Sequence, residues 1–530
     1  MVLLKLVARE SYVPIEQWDF YELSLKGPTG GNPFVDVELT ARFFLGDRTV
    51  EACGFYDGAI GADGTYKVRF SPDEQGIWRY ETVSNRKELD HQTGTFECIA
   101  PGKNNHGPVQ VAHTFHFAYA DGTPYKQIGT TCYAWTHQGD GLEEQTLATL
   151  KASPFNKIRM CVFPKNYAFN SNDPPRYPFE GTPPDKWDFT RFNPAFFRHL
   201  ERRIGQLRDM NIEADIILFH PYDEGRWGFD RMDETSDDRY LKYTVARLAA
   251  YRNVWWSMAN EFDFMKEKKP ADWDRYFHIV QRCDPHNRLR SIHNGRMIYD
   301  HNKPWVTHAS IQNGSAVEDF GRAIIYRDVY NKPIVFDEVK YEGNIPQRWG
   351  DLSAEEMVHR FWQGTIAGTY VGHGETYRHP EDIIWWARGA KLNGQSPARI
   401  AFLKQVLDSS PAEGIEPIDK WQDVRTAGKA GEFYLVYFGK ERPTEWTFEL
   451  PRAGLSAGMS FRVDILDTWN MTTKPVDGTF KIVVDGTYRY RAEGTPKITL
   501  PGSPYMALRI RRVEGDTVKF KEGERIYGES

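Results

Sequence analysis

The sequence predicts an α/β chain in which a (β/α)8 TIM barrel is flanked by two β-sandwich domains. Three stretches of different texture carry this prediction. Short alternating strands fill residues 1–105, strand-like runs alternate with helical patterns over 106–415, and the helical pattern disappears over 416–530. A chain of 530 residues is also too long for a single hydrophobic core, because single cores stop growing near roughly 250–300 residues. We therefore predict three domains with these boundaries.

The amino-terminal stretch alternates apolar and polar residues in segments such as 35–43 and 66–70, which are parted by Gly and Asp turns. This pattern is typical of strands that bury one face, as in a β-sandwich. The polar segment 101–108 contains two prolines and two glycines and breaks any regular element. We expect it to link the first domain to the second.

The middle stretch repeats a strand and a helix eight times, which favours a parallel barrel. An open doubly wound sheet is the alternative, but no glycine-rich phosphate fingerprint follows the first strand. Apolar residues recur at helical spacing, for example at Leu200 and Ile204, and Ser353 with Glu356 forms a capping-box signature. The eight candidate strands are 127–131, 157–163, 213–219, 254–258, 289–293, 305–310, 334–338 and 368–374.

The last stretch contains strand-like runs at 432–438, 460–466 and 506–510. No helical period accompanies them, so a second β-sandwich is expected to close the chain.

Composition excludes several classes of partner. The net charge is −6 with both signs interspersed, so there is no basic stripe for nucleic acid. No apolar run reaches the roughly 18 residues of a membrane span. Aromatic residues make up 14% of the chain, including 16 Trp and 27 Tyr, which suits stacking on sugar faces as well as large cores.

Cysteine usage and the amino terminus bear on the compartment. The five cysteines are odd in number and widely spaced, which favours buried free thiols over disulfides. Residues 1–10 lack the basic region, long apolar core and cleavage site of a secretory leader. We therefore expect a cytoplasmic protein.

Two apolar runs each deliver a glutamate at the carboxyl end of a candidate strand. Asn260 and Glu261 follow the fourth strand, and Glu338 ends the seventh. The spacing lets both face one barrel mouth, where this architecture builds active sites. Such a pair suits retaining glycoside hydrolysis, in which one carboxyl protonates the leaving oxygen and the other attacks the anomeric carbon. We predict Glu261 as the acid/base and Glu338 as the nucleophile.

Either glutamate taken alone would more often be a solvated loop residue. The prediction of catalysis therefore depends on the two glutamates occurring together at the ends of two strands. The flanking Asp263 and Asp337 are excluded from catalysis. Strand alternation turns Asp337 away from the side that Glu338 faces.

Other side chains near the strand ends are candidates for substrate binding. The Asn260 amide can hydrogen-bond a sugar hydroxyl. Arg159 can support an ionised Glu338, or it forms an ion pair on the barrel floor. We expect Tyr377 or one of the tryptophans beyond the eighth strand to floor the sugar subsite. The remaining candidates are His220, His293, His308, Trp135, Glu375 and Trp385, with a satisfied core histidine as the alternative for His220.

At these residues the sequence resembles clan A retaining glycoside hydrolases, the (β/α)8 group that includes cellulases, mannanases and β-galactosidases. The whole chain, with segment 128–135 in its barrel, is similar to a cellulase-like or apiosidase-like branch with an amino-terminal sandwich and a carboxyl-terminal sandwich of unknown function. The resemblance implies acid/base work for Glu261 and nucleophilic attack by Glu338. Clan members usually carry a Trp at the end of the eighth strand, where this chain has Tyr377 nearby.

Two rival interpretations remain open. A metal-dependent barrel hydrolase would use His220, Asp223, His293 and His308 as ligands, but the first strand lacks the His-x-His pair that such barrels carry. A non-catalytic carbohydrate-binding protein would not need both glutamates. We therefore expect an exo-acting, retaining glycoside hydrolase for oligosaccharides from plant polysaccharide, without cofactor or metal. The sugar and any homo-oligomerisation are left open.

Overall fold

A computed structural model describes residues 12–312, 317–378 and 383–513. The predicted cytoplasmic location depends on residues 1–10, which lie outside these ranges, so it stays a prediction. Within the described ranges, no helix has both the length and the apolar character needed to cross a bilayer.

The amino-terminal domain is a β-structure built around one long strand. Arg48–Ile60 pairs antiparallel with the preceding strand through its first half and with the following strand through its second half, and its register shifts between Tyr56 and Ala59. The sheet folds at this irregularity over a core that includes Phe43, Phe70 and Trp78. The seven strands are Pro14–Glu16, Tyr21–Gly27, Leu39–Leu45, Arg48–Ile60, Asp63–Phe70, Gly76–Ser84 and Thr93–Ile99, with a short helix at Pro33–Asp36.

A small antiparallel sheet, which the sequence analysis did not predict, covers the amino-terminal end of the barrel. It comprises Val109–Ala112, His116–Tyr119 and Pro124–Tyr125. The rings of Phe117 and Tyr125 lie 5.1 Å and 5.9 Å from that of Trp255 in the fourth barrel strand. The sheet therefore closes the floor and leaves the opposite end for the site.

The predicted eight-stranded parallel barrel is confirmed. Neighbouring strands pair in parallel around the barrel, and a bridge between His293 and Ser310 joins β5 to β6 and closes it. The strands are β1 (Gly129–Thr131), β2 (Lys157–Cys161), β3 (Glu213–Phe219), β4 (Val254–Ala259), β5 (Arg290–Ser291), β6 (Ala309–Gln312), β7 (Ile334–Glu338) and β8 (Tyr370–His373).

In the described ranges, seven helices of eleven or more residues pack around these strands. Their buried faces repeat at helical spacing; Leu200, Ile204 and Leu207, for example, are all buried in α2. Residues 292–308, between β5 and β6, are all described and contain no helix. The helices are α1 (Asp140–Lys151), α2 (Pro194–Asp209), α3 (Glu234–Leu248), α4 (Pro270–Cys283), α5 (Phe320–Tyr330), α6 (Ala354–Ile366) and α7 (Ser396–Asp408).

Local signals explain where several helices begin. The side chains of Asn193 and Asp233 accept backbone N–H groups at the starts of α2 and α3. The predicted cap Ser353 accepts the N–H of Glu356 at 3.2 Å at the start of α6. Pro194 and Pro270 occupy the first turns of α2 and α4, where a missing N–H costs nothing.

Short helices and strand pairs lie in the loops of the barrel. Three single-turn helices lie at Trp135–His137, Phe229–Arg231 and Phe262–Phe264, and a four-residue helix at Trp385–Arg388. A hairpin of Phe179–Thr182 and Lys186–Phe192 follows β2, and Glu342–Gly343 pairs with Glu375–Thr376.

The carboxyl-terminal domain is again β-structure, as predicted. The three runs expected there form the strands Phe433–Tyr437, Ser460–Asp467 and Met506–Arg512, which lie side by side. Their apolar faces share a separate core with Phe448 and Ile498. The other strands are Glu416–Pro417, Thr426–Lys429, Glu445–Thr447, Glu449–Pro451, Thr472–Pro475, Phe480–Val483, Arg489–Ala492 and Lys497–Thr499. The domain boundaries near residues 105 and 415 stay predictions.

Candidate active site

A cavity of about 770 Å³ opens at the carboxyl ends of the barrel strands. Both predicted catalytic glutamates line it, one from the loop after β4 and one from the end of β7. Aromatic and basic side chains make up much of the remaining wall. The lining residues are Tyr133, Lys165, Tyr167, Tyr222, Asn260, Glu261, Phe264, Gly295, Arg296, Gln312, Glu318, Glu338, Lys340, Arg348, Trp349, Arg360 and Trp386.

Glu261 directly follows Asn260 beyond β4 and has a left-handed backbone, with φ of 49°. Such a conformation is costly for a residue other than glycine and is typical of functional positions. The Gln312 amide donates to Glu261 Oε1 at 3.0 Å, and the Asn260 amide lies 3.4 Å from Oε2. Burial raises the pKa of Glu261, which favours the protonated form that a general acid requires.

Glu338 ends β7 in a different setting. It accepts hydrogen bonds from the Tyr133 hydroxyl and, at 3.2 Å, from the Trp349 indole N–H. Burial raises the pKa of Glu338 to about 7, and hydrogen bonds from Tyr341 and then Trp349 act in the opposite direction. Donors of this kind stabilise the ionised carboxylate, so a substantial fraction of Glu338 is ionised near neutral pH.

His293 connects the surroundings of the two glutamates. Its Nε2 lies 3.8 Å from Glu338 Oε1 and 3.3 Å from Gln312 Oε1, while Nδ1 lies 3.0 Å from Ser310 Oγ. Burial lowers the pKa of His293 well below its usual range, so the ring is neutral. This placement suits an imidazole that orients Glu338 and Gln312.

Arg159 does not contact either glutamate directly. Its Nε lies 3.5 Å from Asp215 Oδ2 and 3.9 Å from Asp337 Oδ2, and all three side chains are buried inside the barrel. Arg159 therefore forms the ion pair that was the alternative interpretation. Asp337 faces this layer, with Lys157 at 2.8 Å. Asp263 instead holds the loop after β5 by accepting the backbone N–H groups of residues 295–297.

The structure places His220 and His308 outside the cavity wall. His220 is buried, lies 3.2 Å from the Phe163 carbonyl and accepts the Tyr222 N–H, as a satisfied core histidine does. His308 lies at the amino-terminal end of the barrel, with its ring 5.3 Å from that of Trp255. The expected position was wrong because β6 starts at Ala309, so Gln312 rather than His308 occupies its carboxyl end.

Of the tryptophans near β1 and β8, Trp386 lines the cavity, whereas Trp135 and Trp385 are not among its lining residues. Trp385 is fully buried and donates its indole N–H to Thr130 Oγ1 at 3.0 Å. Trp135 is buried in the single-turn helix after β1. Successive residues in the short helix at Trp385–Arg388 point in different directions, which separates the two neighbouring tryptophans.

Glu375 and Tyr377 also lie away from the cavity wall. Glu375 accepts the backbone N–H groups of Asn393 and Gly394 at 2.6 Å and 2.8 Å. The Tyr377 hydroxyl lies 3.4 Å from Glu342 Oε1. Glu375 thus fixes the segment that leads into α7, Tyr377 contacts Glu342, and neither lines the cavity as the expected subsite floor.

Several contributors to the site were not singled out by the sequence analysis, among them Tyr133, Lys165, Gln312 and Trp349. Tyr133 follows a strand and could have been found from its position beyond β1. Gln312 was hidden by the misplaced sixth strand. Lys165 and Trp349 lie in irregular loops after β2 and β7, where no periodic pattern indicates which side chains point inward.

The predicted metal alternative is not supported by side-chain geometry. Two groups in the described part of the chain bring three potential ligand atoms together, Asp140 with Glu143 and His199, and Glu342 with His373 and Glu375. Neither includes the residues of that hypothesis. Asp223, one of them, instead accepts the N–H groups of Trp227 and Phe229. Arg203 already pairs with Asp140 and Glu143.

The barrel and its paired glutamates define the class of protein: the chain is a TIM-barrel glycoside hydrolase. Residues 112–427 match a family model described as the apiosidase-like catalytic domain. Residues 14–85 and 421–511 match two models for domains of unknown function, DUF5060 and DUF5605. The chain belongs to the apiosidase-like family.

Solved structures agree with this assignment. A Bacteroides vulgatus protein described as a candidate glycoside hydrolase is 43% identical, with a TM-score of 0.91 over 94% of this chain and 100% of that chain. A glycoside hydrolase family 5 protein from the same organism is 14% identical, with a TM-score of 0.56 over 77% and 93% of the two chains, and shows the fold alone. No curated protein matches the chain.

Proposed function

We propose that this glycoside hydrolase retains anomeric configuration through double displacement, with Glu338 as nucleophile and Glu261 as acid/base. One observation carries the proposal: two buried carboxyl groups from opposite parts of the barrel, the β4 loop and the β7 end, open into the same cavity with different sets of donors. Different environments are what allow two like carboxyl groups to take opposite roles.

In the first step, ionised Glu338 attacks the anomeric carbon while protonated Glu261 gives its proton to the leaving oxygen. The Tyr133 hydroxyl and the Trp349 indole hold the Glu338 carboxylate in place. In the second step Glu261, now ionised, takes a proton from a water molecule whose oxygen attacks the anomeric carbon, and the bond between the sugar and Glu338 breaks. The Asn260 amide lines the cavity beside Glu261 and is placed to hydrogen-bond a sugar hydroxyl.

We further propose that the substrates are oligosaccharides from plant polysaccharide, cleaved at a chain end. The match to a family described as apiosidase-like supports a glycosidic substrate. The rings of Tyr167, Tyr222 and Trp386 in the cavity wall support stacking against sugar faces. Exo-action depends on the predicted cytoplasmic location, because short imported chains would then be the available substrates.

A panel of aryl glycosides and plant oligosaccharides tests the two roles. We expect Glu338→Ala and Glu261→Ala each to lower kcat on an accepted oligosaccharide by roughly 10³-fold or more, because each removes a group needed in the transition state. With an activated aryl leaving group, Glu261→Ala should lose much less, since little protonation is then required.

Glu267→Ala is the matched control, because this exposed glutamate follows Glu261 closely but does not line the cavity. It should turn over substrate like the wild type. Wild-type turnover by both cavity variants would refute the two-glutamate mechanism. Sugar binding without turnover by the wild-type chain, on every member of the panel, would favour the non-catalytic alternative.

A further inference from the structure

Lys165 lies in the cavity wall in an unusual setting for a lysine. Its side chain is 1% exposed, and Nζ is surrounded by aromatic rings. The ring centroids of Tyr133, Tyr222, Tyr167 and Trp386 lie 4.0, 4.1, 4.5 and 5.0 Å from Nζ. Cation–π attraction from these rings holds the ammonium group at the edge of the cavity.

The ammonium group makes no direct ion pair with a described residue, although the charge of Glu261 acts on it from a longer distance and favours its charged form. Among the residues that the structure describes, no carboxylate oxygen lies within 4.0 Å of Lys165 Nζ. By contrast, the other deeply buried lysines pair with carboxylates, Lys157 with Asp215 and Asp337, and Lys268 with Asp237. Burial lowers the pKa of Lys165 to about 8, so it is still mainly charged at neutral pH.

The rest of the cavity wall is also basic. Arg296, Lys340 and Arg348 line it, and none of them forms an ion pair with another described residue. Arg360 is the exception, since it pairs with Glu318 at 2.9 Å. Apart from the two glutamates, the unpaired charges among the described residues of the cavity wall are therefore all positive.

We propose that the cavity accepts an anionic sugar, one bearing a carboxylate or a sulfate ester, and that Lys165 is the residue that binds this group. Resting on the proposed glycosidase function, the inference adds the chemical class of its substrate. A charged ligand supplies a counter-ion in direct contact with the buried ammonium, which a neutral sugar does not. The basic rim attracts the same ligand as it approaches.

Binding to the full chain with the Glu338→Gln substitution tests this proposal without turnover. Calorimetric titration would compare galacturonate and glucuronate with galactose and glucose, and galactose 6-sulfate with galactose. At low salt we expect at least one acidic sugar to bind roughly 10- to 100-fold more tightly than its neutral partner, as a charge-assisted hydrogen bond provides. The uronates and the sulfate ester distinguish the two sources of charge.

Adding Lys165→Met to the Glu338→Gln variant should abolish the preference for acidic sugars. The affinity for neutral sugars should stay within about threefold of that of Glu338→Gln alone. Lys404→Met is the matched control, because this partly exposed lysine pairs with Asp408 on α7, away from the cavity. It should keep the full preference. Circular dichroism would establish that each variant is folded. If Lys165→Met does not fold, the preference measured in Glu338→Gln, which keeps Lys165, still tests whether the cavity accepts an anionic sugar.

Equal or weaker binding of every acidic sugar, relative to its neutral partner, would overturn the proposal. So would a preference that survives in folded Lys165→Met. Failure here is distinguishable from failure of the proposed function, since hydrolysis of neutral glycosides that requires both glutamates would leave the mechanism intact. Tight binding of an acidic sugar without any turnover would support the anionic-sugar proposal and contradict the proposed glycosidase function.

Discussion

At the scale of single residues, the site separates two carboxyl groups by their hydrogen-bond donors. Glu338 receives a hydroxyl and an indole donor, from Tyr133 and Trp349. Glu261 receives amide donors from Gln312 and Asn260. Burial raises the pKa of both glutamates, so the donors decide how readily Glu338 ionises.

Trp349→Phe should move the acid limb of kcat/KM to higher pH by about 1 unit, the equivalent of a hydrogen bond to a charged group. The sign follows from the donor, which stabilises ionised Glu338 and thereby lowers its pKa. Without the donor, the pKa rises above about 7, and the ionised nucleophile is lost at a higher pH. A pH profile of kcat/KM measures the shift.

Trp421→Phe is the control for this prediction, since Trp421 is 74% exposed and lies outside the barrel site. Its acid limb should coincide with that of the wild type. An unchanged limb in Trp349→Phe would show that the indole does not control the ionisation of Glu338.

The sequence could predict the two glutamates because each follows an apolar run that reads as a buried strand. The sequence analysis did not predict residues whose contacts depend on distant parts of the chain. Tyr133 reaches Glu338 across 205 positions, and Lys165 owes its setting to rings from three other loops. The candidate Trp385 does not line the cavity for a similar reason, because the direction of each side chain there is set by a four-residue helix.

At the scale of elements, a buried charged layer connects three barrel strands beneath the site. Lys157 of β2 donates to Asp215 of β3 at 3.0 Å and to Asp337 of β7 at 2.8 Å. Burial alone would raise the pKa of Asp337, but Lys157 and Arg159 outweigh it and hold that pKa well below its usual range. Because Asp337 precedes Glu338 directly, this layer fixes the strand that carries the proposed nucleophile.

Lys157→Met should lower the free energy of unfolding by about 3–5 kcal/mol, because it leaves buried carboxylates without their cation. Urea unfolding of the full chain, followed by tryptophan fluorescence, measures the change. Lys404→Met, which removes a partly exposed i,i+4 pair, should cost less than about 1 kcal/mol. A similar small loss in Lys157→Met would show that the layer contributes little to stability.

Strand prediction succeeded where the apolar run was long and failed where it was short. β3 and β7 begin and end as predicted, since every residue of these strands is buried. β6 was predicted about four residues too early, and β5 is only two residues long. The segment before β6 bonds irregularly to β5, with the Thr307 hydroxyl accepting the Arg290 N–H at 2.7 Å, which a pattern of apolar residues does not reveal.

At the scale of the whole molecule, a buried ionic network joins the amino-terminal domain to the barrel. Arg69 contacts both carboxylate oxygens of Glu201 in α2, at 2.9 Å and 3.0 Å. Arg247 of α3 donates to Glu201 at 2.5 Å and lies 2.9 Å from Asp57. Domains that share such a network are expected to unfold together.

A double-mutant cycle with Arg69→Met and Glu201→Gln tests this coupling. We expect an interaction free energy of roughly 1–3 kcal/mol, because both groups are buried and in direct contact. Chemical denaturation of the four full-length forms measures it. Single-substitution losses that add within about 0.5 kcal/mol would mean that the contact does not couple the domains.

The central claim, double displacement through Glu338, is tested most directly by the anomeric configuration of the products. Proton NMR during turnover by the wild type should show first the anomer of the substrate, and Glu338→Ala with azide should yield a glycosyl azide of inverted configuration. These results follow if Glu338 attacks the sugar and Glu261 supplies the proton. An inverted first product from the wild type would contradict the account, because the two glutamates would then act on a water molecule in a single displacement.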